Sequence, residues 1–202
     1  MLLTAAYLFL LSLLFALLEI EMEGAYGWAE KLPTWYRNSG FVRFLFAGRK
    51  PLTGYHLFMN IFILAAFHLG FFIGVPWSLA AELRVLSLFI LFLAVEDFLW
   101  FVFNPHYGLR NFKKEKIWWH HDCAWLFWLV PLDYATGIML TVLLSYLSAL
   151  LLGDLAALYG WLETLGVILI LVFLSSLLAP LYKRWYERMR TKDERGQTKI
   201  FH

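Results

Sequence analysis

Three clusters of ionisable residues interrupt an otherwise apolar chain. Glu19, Glu21 and Glu23 close the first hydrophobic run, in LLEIEMEGAYGW. Glu96 and Asp97 break another run, in FLAVEDFLWF, and His120, His121 and Asp122 precede a later one. His56 and His106 also stand close to the ends of apolar stretches. Carboxylates and imidazoles are the groups that bind iron, zinc or manganese and that serve as general acids and bases. Charges within or beside a membrane span are costly, so such residues are functional candidates from the outset.

The elements that must position these groups follow from composition. The chain has 202 residues, of which 61% are hydrophobic and 16% charged, and its mean hydropathy is +0.65. A soluble domain of this size carries more polar surface. Several apolar runs reach the roughly 20 residues that a helix needs to cross a bilayer. The short alternating segments of a transmembrane barrel are missing. The expected fold is therefore an all-α integral membrane protein with about five transmembrane helices and additional interfacial helical segments. The spans are expected near residues 2–20, 55–75, 79–103, 133–152 and 157–182. The first run lacks a basic leader and a small-residue cleavage motif, so it is expected to be a retained span rather than a signal peptide. There is no internal repeat. The expected organisation is one helical transmembrane domain over 1–182, followed by a basic tail over 183–202. A single cysteine, Cys123, excludes an intrachain disulfide.

Basic residues give the expected orientation. Lys31, Arg37, Arg43, Arg49 and Lys50 follow the first span; Arg110, Lys113, Lys114 and Lys116 follow the third; the remainder, apart from Arg84, lie at the C-terminal end. Positive residues favour the cytoplasmic side, which places the N-terminus outside and the C-terminus inside. Under that topology the acidic clusters, His56 with Asn60, Asn104 with His106, and the His120-His121 pair all come to the cytoplasmic end of the bundle. His68 alone is expected near mid-membrane. The expected location is the plasma membrane of a prokaryote, with the bilayer as the surrounding partner and the oligomeric state open.

Helical spacing sorts the candidates. Glu19 and Glu23 are four apart and share a face, while Glu21 points elsewhere. His56 and Asn60 share a face for the same reason. Asp97, Trp100 or Phe101, and Asn104 form one stripe, and Glu96 lies about 100° around from Asp97. Both can serve one site only if it sits between two neighbouring helices. The negative ends of helix dipoles disfavour these carboxylates, so a positive partner is expected. The candidates are Arg37, Arg43, Arg110, Lys113 or a metal cation. The proposed metal ligands are Glu19, Glu23, His56, Glu96, Asp97, His106, His120 and His121, holding a transition metal, iron or zinc, singly or as a pair. Glu96 and Asp97 are also the proposed catalytic carboxylates. Asn60, Trp100, Asn104, Arg110 and Lys113 are proposed to bind substrate.

Blander readings compete at every position. Acidic residues at a span's end are commonly solvated, or paired with Lys31, Arg37, Arg110 or Lys113. His106, in NPHYG, reads equally as a turn residue, His68 as a packed helix residue and Cys123 as an inert small side chain. The tryptophans around Trp28, Trp35, Trp118, Trp119, Trp125 and Trp128 fit an interfacial belt. The GAYGWAEKLPTW segment also has the makings of a lid, and FVRFLFAGRK those of an amphipathic surface helix.

Familiar catalytic motifs are absent: no G-x-S-x-G, no phosphate-cradling G-x-x-x-x-G-K and no H-E-x-x-H occurs. The repeated histidine boxes of membrane desaturases and the E-x-x-H pairs of soluble di-iron bundles are missing too, so likeness to those groups stops at ligand chemistry. Nucleic-acid binding is unsupported, because the basic residues track membrane topology. The expectation is a metal-dependent membrane enzyme acting on a lipid or other apolar substrate at the cytoplasmic interface, with hydroxylase- or desaturase-type oxidation ahead of hydrolysis. A small transporter would need polar residues across the membrane, and the outer halves of the spans carry few. A structural membrane subunit is the third reading.

Overall fold

The computed structural model describes residues 1–39, 50–121 and 123–191. Five helices dominate it: α1 (Leu2–Glu23), α2 (Gly54–Phe72), α3 (Leu79–Phe103), α4 (Leu132–Leu152) and α5 (Ala156–Thr191). All five are long and apolar enough to cross a membrane. Many large apolar side chains, among them Leu3, Phe72, Ile73, Ile170 and Phe173, are exposed on the outside of the bundle. Such a surface suits hydrocarbon rather than water. The described helices match the expected spans closely. α5 runs nine residues beyond its expected end at Tyr182, through Arg188 and Arg190 in its last turn. Cations at a helix C-terminus are favoured by the dipole, so the helix has reason to continue past the apolar run.

Between the helices the chain adds two very short hairpins and two single turns of 3-10 helix. β1 (Tyr36–Arg37) pairs with β2 (Leu52–Thr53), and β3 (Trp125–Leu126) with β4 (Val130–Pro131). The turns are Leu109–Asn111 and Trp118–His120. The surface helix expected in FVRFLFAGRK falls almost wholly on 40–49, outside the described residues, as do Arg43, Arg49, Asp122 and the last part of the basic tail.

α3 is the central element and packs against the other four helices. Its buried residues include Leu91, Phe92, Leu99, Phe101 and Val102. A helix apolar over most of its surface is buried in protein or lies in a membrane, and half of this span is buried within the bundle. Small hydroxyls stitch its neighbours to it: Ser12 Oγ donates to the Phe92 carbonyl at 3.5 Å, Ser87 Oγ to the Thr141 carbonyl at 2.9 Å and Ser148 Oγ to the Ala80 carbonyl at 2.8 Å. Within lipid these bonds replace a hydrophobic driving force that the solvent cannot supply.

Asn104 fastens the end of α3 that matters most. It is fully buried, and its Nδ2 donates to the Gly24 carbonyl at 2.9 Å. Gly24 ends α1 with φ of 60°, a conformation glycine adopts without a Cβ penalty. Asn104 Oδ1 accepts from the His106 N–H at 2.9 Å. One side chain thus ties the ends of α1 and α3 and fixes the depth of the acidic residues on each. Asn104→Leu is expected to cost roughly 1–3 kcal/mol by leaving the Gly24 carbonyl unpaired. A thermal unfolding midpoint in detergent equal to wild type would show that the tie carries no weight.

Candidate metal centre

At the end of the bundle where α1 and α3 finish and α2 and α4 begin lies a cavity of about 250 Å³. Glu19, Glu23, His56, Glu96, Asp97 and His120 all line it, together with Asn60 and Trp100. The scattered clusters therefore do meet. Glu21 is exposed, as its helical phase requires. Glu96 and Asp97 both reach the cavity because it lies between α1 and α4, on the two sides of α3 to which adjacent residues point.

The remaining sequence candidates lie elsewhere. His106, Arg110, Lys113 and His121 are exposed and do not line the cavity. Asn104 is the structural tie described above. His68, expected at mid-membrane, sits one turn from the end of α2. Its Nε2 lies 2.9 Å from Glu82 Oε1, and Trp77 Nε1 donates to Glu82 Oε2 at 3.0 Å. Two ionisable groups near lipid have paired with each other, away from the cavity.

The inner half of the cavity holds Glu19, Glu23 and His56. One ligand atom from each lies within 4.8 Å of the others, and all three residues are buried. His56 Nε2 is 3.9 Å from Glu19 Oε1 and 3.8 Å from Glu23 Oε1. These gaps are too long for hydrogen bonds and shorter than the about 4.2 Å that two metal–ligand bonds of about 2.1 Å span end to end. Thr53, the N-cap of α2, stands behind the imidazole: its Oγ1 accepts the His56 N–H at 3.1 Å and lies 2.7 Å from Nδ1. With the ring proton on Nδ1 pointed at Thr53, Nε2 turns its lone pair toward the two glutamates. That is how an outer hydroxyl orients a metal-binding histidine.

Glu96 completes this half. Its carboxyl lies beside that of Glu19 in the same buried cavity, so the two acids repel unless a proton or a cation stands between them. Glu96 Oε1 is buried with no hydrogen-bond partner, and so is Asn60 Oδ1. Tyr55 closes the side of the group, donating its hydroxyl to Glu19 Oε1 at 3.3 Å. Buried acceptors without donors are rare, and two in one cavity call for a physical explanation.

The outer half is already neutralised by the protein. Lys50 is 8% exposed and places Nζ 3.3 Å from Asp133 Oδ2 and 3.3 Å from His120 Nε2. The ammonium also lies 4.9 Å from the Trp28 ring centroid. Asp97 lies 3.9 Å from His120 Nε2 and accepts a short hydrogen bond from the Tyr134 hydroxyl. His120 Nδ1 lies 3.4 Å from Asp133 Oδ2, near enough to attract it but off the hydrogen-bond line. The positive partner expected from the sequence is therefore Lys50, not Arg110 or Lys113. Lys50 reads as one more basic loop residue. It is drawn in because Pro51-Leu52-Thr53 leads directly into the α2 cap, within two turns of His56. Asp133, Tyr134 and Thr53 also escaped sequence reasoning. Each reads as an ordinary residue at a helix start, where a carboxylate or hydroxyl is favoured anyway.

A strained lid covers the site. Trp28 and Ala29 both adopt positive φ, 56° and 54°. Consecutive non-glycine residues in that region persist only where surrounding contacts compel them. Here Glu23 Oε1 accepts the Ala29 N–H at 2.5 Å, Trp28 Nε1 donates to the Pro51 carbonyl at 2.8 Å, and the indole stacks on His56 with centroids 4.1 Å apart. The GAYGWAEKLPTW segment thus covers the imidazole, using a cavity glutamate as its anchor.

Compared with family models, with curated proteins and with solved structures, the chain matches none.

The outer half has a pH signature. Burial alone would lower the His120 pKa, but Asp133 and Asp97 outweigh it and raise it to about 9 from the ordinary 6.5. A raised histidine contributes stability fully present below about pH 6.5 and lost as pH rises through about 9. Chelator-treated protein is expected to melt at progressively lower temperature across that window, and His120→Gln to flatten the slope. Parallel pH profiles for the two proteins would exclude a charged His120.

Proposed function

We propose that the chain is a metal-dependent membrane enzyme whose metal is held by Glu19, Glu23, His56 and Glu96. The convergence of three buried donor residues, with an unpartnered Glu96 oxygen beside them, carries this reading. The donors are oxygen and imidazole nitrogen with no thiolate among them, which suits iron or manganese at least as well as zinc. His120, Cys123 and Asp133 form a second group whose ligand atoms lie within 4.8 Å of one another, with Lys50 now against Asp133 and His120. A second ion there would have to displace the ammonium.

The wall facing the ligands suits an apolar substrate, and with a redox-capable donor set we read the chemistry as oxidative. Ile90, Leu93, Ala94 and Met59 line the same cavity, giving a hydrocarbon segment an apolar wall beside the proposed ligands. A redox metal with dioxygen and an external electron donor supplies the power to remove hydrogen from carbon. The protein's own residues do the rest. Trp28 and Trp100 exclude water, Thr53 holds the imidazole in one tautomer, and Glu96 is placed to take or return a proton. We further propose that the basic loops hold this end of the bundle at the cytoplasmic face.

Metal analysis of protein purified without chelator tests the reading. About one iron or manganese ion per chain is expected, lost in Glu96→Gln and retained in His121→Ala. Thr53→Val is expected to weaken binding by about 10–100-fold through the imidazole it orients. Folded wild-type protein that holds no transition metal, even after reconstitution, would falsify the proposal.

A further inference from the structure

A second hollow, of about 680 Å³, opens between α1 and α2. Phe15 and Phe62 line its membrane end, Thr34 and Trp35 its interfacial end. Leu18, Met22, Phe58 and Phe62 are exposed, so on two spanning helices this groove faces the lipid chains directly. Ordinary lipid-facing surface needs no hollow, and an ordinary hollow needs no carboxylate. This one has a glutamate in its wall. Glu19 and Met59 line both the groove and the metal-binding cavity. Tyr55 stands in the partition, its hydroxyl 3.3 Å from Glu19 Oε1 and 3.8 Å from Met22 Sδ.

We propose that this groove binds one acyl chain of a membrane phospholipid and presents it sideways to the cavity through the Glu19–Tyr55–Met59 wall. The inference rests on the reading of the cavity as the reacting centre, and adds to it the substrate class and the route of entry. Three observations carry it. The groove adjoins the cavity across a wall to which two residues, Glu19 and Met59, contribute on both sides. Its size lies within the range of ligand-binding clefts. Its lining grades from hydroxyl and indole at the interface to phenyl rings deeper in the membrane, which is the polarity profile of a lipid that keeps its headgroup at the surface. From Gly54 to Phe62 the helix rises about 12 Å, and Met59 lies about 8 Å along it. A headgroup beside Thr34 and Trp35 therefore brings carbons of the upper chain, not its methyl end, to the shared wall.

Photolabelling tests this. The full-length protein is placed in phosphatidylcholine vesicles containing a trace of phosphatidylcholine with a diazirine on the upper part of one acyl chain. After irradiation the labelled residues are mapped by mass spectrometry. Labels are expected on Glu19, Tyr55 and Met59, and are expected to fall severalfold in Leu18→Trp and in Phe62→Trp, which plug the groove at different depths. Labels on Phe72 and Ile73, at the far end of α2, should be unchanged and serve as the measure of ordinary lipid contact. Labels confined to such outward residues, or groove labels indifferent to both plugs, overturn the proposal; so does a groove that takes no label because another segment of the chain fills it. Metal analysis of the same wild-type preparation separates the two readings. Plug-sensitive labelling without metal in the wild type overturns the metal centre and leaves the groove standing. Metal without plug-sensitive labelling overturns the groove alone.

Discussion

Carboxylates buried together among apolar helices repel one another and have lost the water that would screen them. The whole cytoplasm-proposed end of this bundle is organised around that constraint. Glu19, Glu23, Glu96, Asp97 and Asp133 reach one cavity from three helices. Burying an ion without a partner costs several kcal/mol. Half of the cluster is answered by the chain itself, through Lys50, His120 and Tyr134. The other half is met by Tyr55 and by the Ala29 and Trp28 N–H groups, and among the described residues no Lys or Arg pairs with it. That asymmetry is the physical reason to place a cation between Glu19, Glu23, His56 and Glu96.

The fold is built to hold this arrangement against its own repulsion. α3 carries Glu96 and Asp97 and is gripped by the other four helices, so their depth and phase are set by packing throughout the bundle. Asn104 fixes the register of α1 against α3, and Thr53 fixes both the start of α2 and the His56 ring. Trp28 and Ala29 accept unfavourable backbone angles so that the lid can seat on His56. Rigid elements supply the carboxylates and imidazoles while an irregular loop supplies the cover, a division that holds the groups precisely beneath a separable lid.

The spans were legible because a twenty-residue apolar run has few alternatives, and their ends agree within a few residues wherever an acidic cluster, Pro76 or Asn104-Pro105 punctuates the run. The phase argument was equally readable: Glu19 and Glu23 turn inward, Glu21 outward. Loops were a different matter. Lys50 and Arg110 carry the same charge in similar loops, and nothing in composition says that one is buried against Asp133 while the other is exposed. His106 and His121 are as histidine-like as His56 and His120, yet only the latter pair reach the cavity. Periodicity has no hold on irregular segments, where tertiary contacts decide which way a side chain turns. Asp133 was hidden for another reason, since a carboxylate in the first turn of a helix is already explained by the dipole.

Whether a metal ion completes the unpaired half of the acidic cluster is best read directly, from anomalous scattering at the metal edge in crystals of protein purified without chelator. The account predicts a peak bonded at about 2.0–2.2 Å to Glu19, Glu23, His56 Nε2 and Glu96, with no sulfur ligand and with Thr53 Oγ1 behind the imidazole. A peak bound instead through Cys123, or fully occupied crystals showing Glu19 and Glu96 in contact with no metal peak, would contradict it.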